Sequence, residues 1–253
     1  AEMAKLGYDA GSAAEVTNEL ANNFGVGMDQ AMGMATQIGD MSKALGLSLQ
    51  EGSQLMGVFT TLGGMTPGQA EDMSKMAAQL ANANNVNPSA VLKDIAGSTE
   101  TFAKFGKDGG ANLVEAAVVA KKLGTNLDSV AGTMESMLNF ADSTSKAMEA
   151  SVMIGRDINV QKLQELSLAG DAAGVLEEQK RLLGDAEKFN SMNVIQRKAL
   201  AEALGLSVEE ANKMVNAEKE QATLAGELAK QPGFEQLVGA EAISSLTQLM
   251  GSL

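Results

Sequence analysis

Ser143-Thr144-Ser145-Lys146 has the S-x-x-K spacing with which serine acylases set a lysine amine beside a nucleophilic hydroxyl. That chemistry also uses a K-T-G segment further along, and none follows Lys146. Gly25-Val26-Gly27-Met28-Asp29-Gln30 opens like a dinucleotide-binding loop, but Gln30 occupies the place of the third glycine and no strand pattern precedes it. A phosphate-cradling Walker loop reaching Lys107 needs glycine at position 101, where Thr101 stands, and Ser or Thr at 108, where Asp108 stands. Asp108, Asn112 and Glu115 miss the ligand spacing of a calcium loop. The neighbouring carboxylates Glu177-Glu178 and Glu209-Glu210 read as helix-surface charges rather than as a glycosidase pair. Histidine is absent, which removes the commonest general base and metal ligand; cysteine is absent, which excludes disulfides and thiolate metal sites. No catalytic, cofactor-binding or metal-ligating residue is assigned. The expectation is a protein that is not an enzyme and carries no cofactor.

The formal charge is −13 and the pI near 4.5, so a phosphate backbone meets a repulsive average field and stable nucleic-acid binding is not expected. The basic pairs Lys121-Lys122, Lys180-Arg181 and Arg197-Lys198 are interleaved with acids. Glu177 with Arg181, and Glu209 with Lys213, have the i,i+4 spacing of helical ion pairs. No apolar run reaches the ~18–20 residues that cross a bilayer. The text at both ends reads as cut through helical sequence, which suggests a segment of a longer chain.

The elements that must position these residues are helices. Aromatics make up only 3% of the 253 residues and prolines number three, while Ala, Leu, Met, Glu, Lys and Gln dominate, so the fold class is all-α. Many of the 27 glycines are expected at helix ends or at close helix contacts, since each costs a helix interior ~1 kcal/mol relative to Ala. Nine of the 16 methionines fall in the first 76 residues and read mainly as adaptable core filler.

The glycines fall into a register. Gly7, Gly25, Gly46, Gly64, Asn85, Gly106 and Gly124 can each end a helix in the left-handed conformation. Two residues later Asp9, Ser48, Thr66, Asn87, Asp108 and Asn126 supply an N-cap for the next helix, and Gly27 is the weakest of these positions. Ala-Leu-Gly-Leu-Ser occurs twice, at Ala44–Ser48 and Ala203–Ser207, and both copies have capping-box spacing to Glu51 and Glu210. Gly7, Gly46, Asn85 and Gly124 are spaced like the joints of a helical hairpin of ~39 residues repeated three times, antiparallel and stacked. Val130, Met134, Met137 and Ala141 form one helical stripe, and Ile195, Ala199 and Ala203 another.

Residues 1–149 are thus read as a helical-hairpin repeat region and 150–253 as a second helical region. A joint near Ala141–Ser143 and a cap at Asn159 are expected, with helices near 159–169, 171–183, 192–204, 207–230 and 234–250. Lys230–Gly233 is a firm break.

Lys43–Met76, "KALGLSLQEGSQLMGVFTTLGGMTPGQAEDMSKM", resembles the recurrent core pattern of bacteriophage tail tape measure proteins, with Leu45, Gly46, Ser48, Leu49, Glu51, Gly57, Gly64, Gly68 and Ala70 at matching places. Asn84–Gly97 is similar to the helix start that family places before it, and Met192–Met214 resembles segments of tape measure proteins from large tailed phages. The likeness covers roughly 40–215. It implies a structural role in the virion: occupying the tail lumen, setting tail length during assembly, and leaving ahead of the genome at ejection. It also implies self-association as a homotrimer, binding to tail tube and tail tip or baseplate hub proteins, and contact with the host membrane during ejection. The family pattern has no catalytic residues to carry over. Because Gly and N-cap pairs cut this segment every ~20 residues, it is expected to be a compact end-region rather than the rod. The alternative is a cytoplasmic helical-repeat adaptor binding a protein partner. A membrane-active helical protein is a third reading, which the acidic charge disfavours, and an enzyme comes last.

Overall fold

A computed structural model describes residues 7–217, which form helices joined by short turns, with no strand among the described residues. The all-α expectation is met. Asp9 starts α1 (Ala10–Phe24) by accepting a hydrogen bond from the Ser12 N–H. Met28–Leu45 forms α2; Leu49–Gly57 forms α3, which widens into a π turn over Val58–Leu62. α4 (Pro67–Ala83) and α5 (Pro88–Gly97) each place proline first, where its missing N–H costs nothing, behind a capping Thr66 or Asn87. Ser98 separates α5 from α6 (Thr99–Phe105), and a 3₁₀ turn at Asp108–Gly110 leads into α7 (Ala111–Lys122). Then follow α8 (Leu127–Leu138), α9 (Phe140–Ile154), α10 (Gln161–Ala169), α11 (Ala172–Leu183), α12 (Ala186–Ser191), α13 (Val194–Ala203) and α14 over 208–217.

The first half packs as two rows. α1, α3 and α5 lie side by side, α2, α4 and α7 make the second row, and α2 on α1, α4 on α5 and α7 on α5 join them. Fully buried alanines, among them Ala70, Ala77, Ala81, Ala116, Ala117 and Ala120, let these helices approach closely around Leu55, Phe59, Leu92, Ile95 and Leu113. Each such large side chain contributes roughly 1.5–3 kcal/mol by leaving water. α11 packs on α7 and α8, α10 on α8, and α9 on α13, so one core runs from Val16 to Met214. The boundary drawn at 149/150 falls inside α9. Of the early methionines, Met34, Met41 and Met56 fill this core, whereas Met28, Met32 and Met76 are exposed.

Gly7, Gly46, Asn85 and Gly124 all take positive φ, at 88°, 68°, 56° and 73°. The helices between them are nevertheless unequal. The second interval contains the π turn, and the third is broken at Ser98 and again at Asp108–Gly110, so three equivalent hairpins are not established. Gly106 is extended, with φ −64°, and the chain reverses at Asp108–Gly110 instead. Glycine serves there for space: a Cβ on Gly106 would stand 2.5 Å from the Phe102 carbonyl oxygen, whose hydrogen bond from the Gly106 N–H closes α6. Asp108 consequently caps nothing, and α7 starts behind Gly110 with no side-chain cap.

Other boundaries move for similar local reasons. The joint expected near Ala141–Ser143 lies at Asn139, whose side chain accepts from the Asp142 N–H, so Ala141 sits on the exposed face of α9 and not on the α8 stripe. Asn159 accepts the Gln161 N–H, but the cap position of α10 is Val160. α12 was not foreseen; Asp185 caps it and Phe189 buries it. The helix expected over 234–250, the Lys230–Gly233 break and the end of the 207–230 helix lie outside the described residues.

Candidate interaction surface

The residues with chemically suggestive spacing are used in structural contacts. The buried Ser143 hydroxyl bonds back to the Asn139 carbonyl at 2.9 Å and accepts Gln164 Nε2 at 2.8 Å, while Lys146 pairs with Asp142 at 2.7 Å. Gly25 closes α1 and Gly27 precedes α2. Lys107 Nζ donates to the Ala169 carbonyl, and Asn112 Nδ2 donates to the carbonyls of Phe105 and Gly170. Thr101 donates to Asp128 at 2.9 Å. Asp108, Asn112 and Glu115 do not converge; among the described residues no group of three or more His, Cys, Asp or Glu is placed to hold a metal. Glu209 pairs with Lys213 at 2.7 Å, as its spacing predicts. Arg181 turns instead to Glu178, because that carboxylate is buried and lies one turn back on the same helix.

The two Ala-Leu-Gly-Leu-Ser segments fold alike. In the first, the Leu47 N–H donates back to the Ser42 carbonyl at 2.8 Å; in the second, the Leu206 N–H donates to Ala201 at 2.9 Å. Gly46 and Gly205 turn the chain with φ 68° and 70°. Ser48 and Glu51 exchange hydrogen bonds of 2.8 and 3.1 Å, and Ser207 and Glu210 do so at 2.8 and 3.2 Å. The Ser48 N–H holds the Glu51 carboxyl below its ordinary pKa, with burial opposing and Lys93 assisting.

The second joint is gripped from outside. Gln179, fully buried on α11, donates to the Leu204 carbonyl at 2.9 Å and to Thr133 Oγ1 at 3.0 Å, and Thr133 in turn donates to the Gly205 carbonyl at 3.1 Å. α8, α11 and the α13–α14 joint are thereby tied at one point. Next to it, Glu178 is 2% exposed and carries two cations, Arg181 and Lys162; the Arg181 hydrogen bonds lower its pKa against burial, and Lys162 adds to them. Across the core Asp94 receives the Leu127 N–H and Lys121, yet burial outweighs both and raises its pKa.

Large apolar side chains of α9 are exposed on the side away from the core. Phe140, Met148 and Val152 project from α9 to solvent, Val152 at 84% exposure and Met148 at 65%. Val194 and Ile195 on the adjoining α13 are exposed as well. Of the stripe expected at Ile195, Ala199 and Ala203, Ala203 is buried and Ala199 packs against the core, whereas Ile195 in the first turn of α13 is exposed. On another flank of α9 a cleft of about 170 Å³ separates it from α13, lined by Met153, Ile195 and Ala199 with the charged Lys146, Glu149, Lys198 and Glu202. The exposed row Phe140, Met148 and Val152 suits contact with another apolar face better than chemistry on a small substrate. Its signal was present as Phe140, Met148 and Val152 at i, i+8 and i+12, a row that the expected joint at Ala141–Ser143 cut in two. Gln179 gave no such signal, because a lone Gln on a helix looks like any surface Gln. No protein-family model, curated protein or solved structure matches the chain.

Proposed function

We propose that this chain is a structural, non-catalytic segment of a phage tail tape measure protein, folded as a compact end-region in the tail lumen or at the tail tip hub of the virion. In that place it self-associates, engages tail tube and hub proteins, contributes to tail assembly and length determination, and meets the host membrane at ejection. The supporting observation is the repeated joint: the residues that carry the family resemblance, Gly46-x-Ser48-x-x-Glu51 and Gly205-x-Ser207-x-x-Glu210, are committed to turning and capping helices. The longest described helix, α2, has 18 residues, which fits a folded-back end-region rather than a rod. Mass spectrometry of purified tailed particles is the test. Peptides from 43–76 and 192–214 should appear in the tail in fixed ratio to hub proteins, within a chain larger than 26.1 kDa. Their recovery only as a free 26.1 kDa protein in the cytoplasm contradicts the proposal. The exposed apolar row on α9 favours a second reading, a helical-repeat adaptor that captures a protein partner, and that outcome is the one it predicts.

A further inference from the structure

Asp108 is the only aspartate in the chain that glycine follows, and glycine follows no asparagine. Glycine carries no Cβ, so nothing on residue 109 screens its amide nitrogen from the carboxyl before it. Asp108 is exposed and held at φ 50°, and Gly109 follows at φ 72°. The 3₁₀ turn is closed by the Gly110 N–H, which donates to the Lys107 carbonyl at 2.8 Å, and by the Ala111 N–H, which donates to the Asp108 carbonyl. The Gly109 N–H lies outside both bonds. The two Asp-Ser pairs are held differently. Thr101 donates to the Asp128 carboxylate at 2.9 Å, and the Ser129 N–H is taken by Asn126 at 2.9 Å. Asp142 pairs with Lys146 at 2.7 Å, and the Ser143 N–H donates to the Asn139 carbonyl at 3.0 Å.

We propose that Asp108-Gly109 is a self-modification site, at which the folded chain isomerises through a cyclic imide. The Gly109 nitrogen adds to Cγ of the protonated Asp108 carboxyl. An N–Cγ bond forms, a C–O bond breaks, and the freed oxygen leaves as water with the carboxyl and amide protons. Water then opens the five-membered imide at either carbonyl. Opening at Cγ restores aspartate; opening at the main-chain carbonyl gives isoaspartate, whose backbone runs through Cβ and Cγ. The Cα–H of the imide is acidic, so inversion there also yields D residues. No co-reactant other than water is used. Positive φ is disfavoured for an L side chain and is the ordinary region of its mirror image. The folded turn therefore retains D-aspartate once it forms. Isoaspartate instead lengthens the segment between Lys107 and Asn112, whose 2.8 Å hydrogen bond positions Asn112 to reach the Gly170 carbonyl. The proposal is independent of the tail assignment, since it uses only the sequence and geometry of this turn.

The full chain, folded or in urea, is incubated warm in mildly acidic buffer and then cut after glutamate. Peptides 101–115, 116–135 and 136–149 then carry Asp108, Asp128 and Asp142 as their single aspartates. In the folded chain, 101–115 should be the first to gain isomers of unchanged mass, some of them methylated by an L-isoaspartyl methyltransferase. Its D-aspartate fraction should be higher from the folded chain than from urea. Asp108→Glu should abolish these isomers and leave the circular dichroism of the parent. Isomers that form in urea but not in the folded chain overturn the proposal, as do isomers that form equally fast at Asp128 or Asp142. A D-aspartate fraction no higher in the folded chain overturns retention by the positive φ.

Discussion

At the scale of single residues, Gly205 is held by two independent constraints. Its φ of 70° strains any L side chain, and a Cβ would come within 3.2 Å of Thr133 Cγ2 and 3.3 Å of Thr133 Cα. Gly205→Ala is therefore expected to cost about 2–3 kcal/mol in urea unfolding, combining left-handed strain with overpacking. Gly155→Ala, at φ 76° with open space around it, should cost only about 1–2 kcal/mol from the strain. Equal losses would mean that Thr133 does not grip the joint. Glu178 makes a pH prediction. Its folded pKa lies below the unfolded value because Arg181, and after it Lys162, hydrogen-bond the carboxylate. The stability it supplies is present above the ordinary carboxylate pKa and is lost as pH falls through the lowered one. Glu178→Gln should flatten that acid limb, which urea midpoints between neutral pH and about pH 3 would record; an unchanged limb would place the acid sensitivity elsewhere. Such residues show how legibility varies. Ser48 and Ser207 announced themselves by capping-box spacing, a rule confined to four consecutive residues. Gln179 depends on partners 46 and 25 residues away, and no local pattern encodes those contacts.

Among the elements, the π turn at Val58–Leu62 and the 3₁₀ turn at Asp108–Gly110 press together. A Cβ on Gly63 would sit 2.6 Å from both the Gly109 and the Phe59 carbonyl oxygens, neither of which is a side chain that can swing away. Nearby, the rings of Phe59 and Phe102 meet edge to face at 5.9 Å. Gly63→Ala should destabilise by about 1–3 kcal/mol. Gly132→Ala, mid-helix in α8 with nothing within 4 Å, should instead stabilise by about 0.5–1 kcal/mol. Thermal unfolding of the two variants checks both signs, and a loss at Gly132 would reveal a contact that the fold does not show. The expectation that glycines sit at joints or close contacts holds for Gly46, Gly63 and Gly205 but not for Gly132, where nothing in the structure explains the choice. Element type was readable because helix propensity and caps act locally. The break at Ser98, the π turn and α12 were not, because packing against distant helices decides them.

For the whole molecule, the two Ala-Leu-Gly-Leu-Ser joints belong to one all-helical body with a continuous core. The rows α1–α3–α5 and α2–α4–α7 continue into α8, α11 and α13, and one buried apolar cluster runs from Val16 to Met214. Sequence patterning showed the joints on either side of residue 150 but not their common core, since alanine-lined contacts between α7 and α11 leave no periodic signature. The absence of native cysteine allows a direct test with one fluorophore at a time, on Met32→Cys in α2 or Asn190→Cys in α12. In urea the two reporters should show coincident transitions, and adding Gly205→Ala should shift both midpoints by the same amount. Separate transitions, with Gly205→Ala moving only the Asn190 reporter, would contradict a single continuous core.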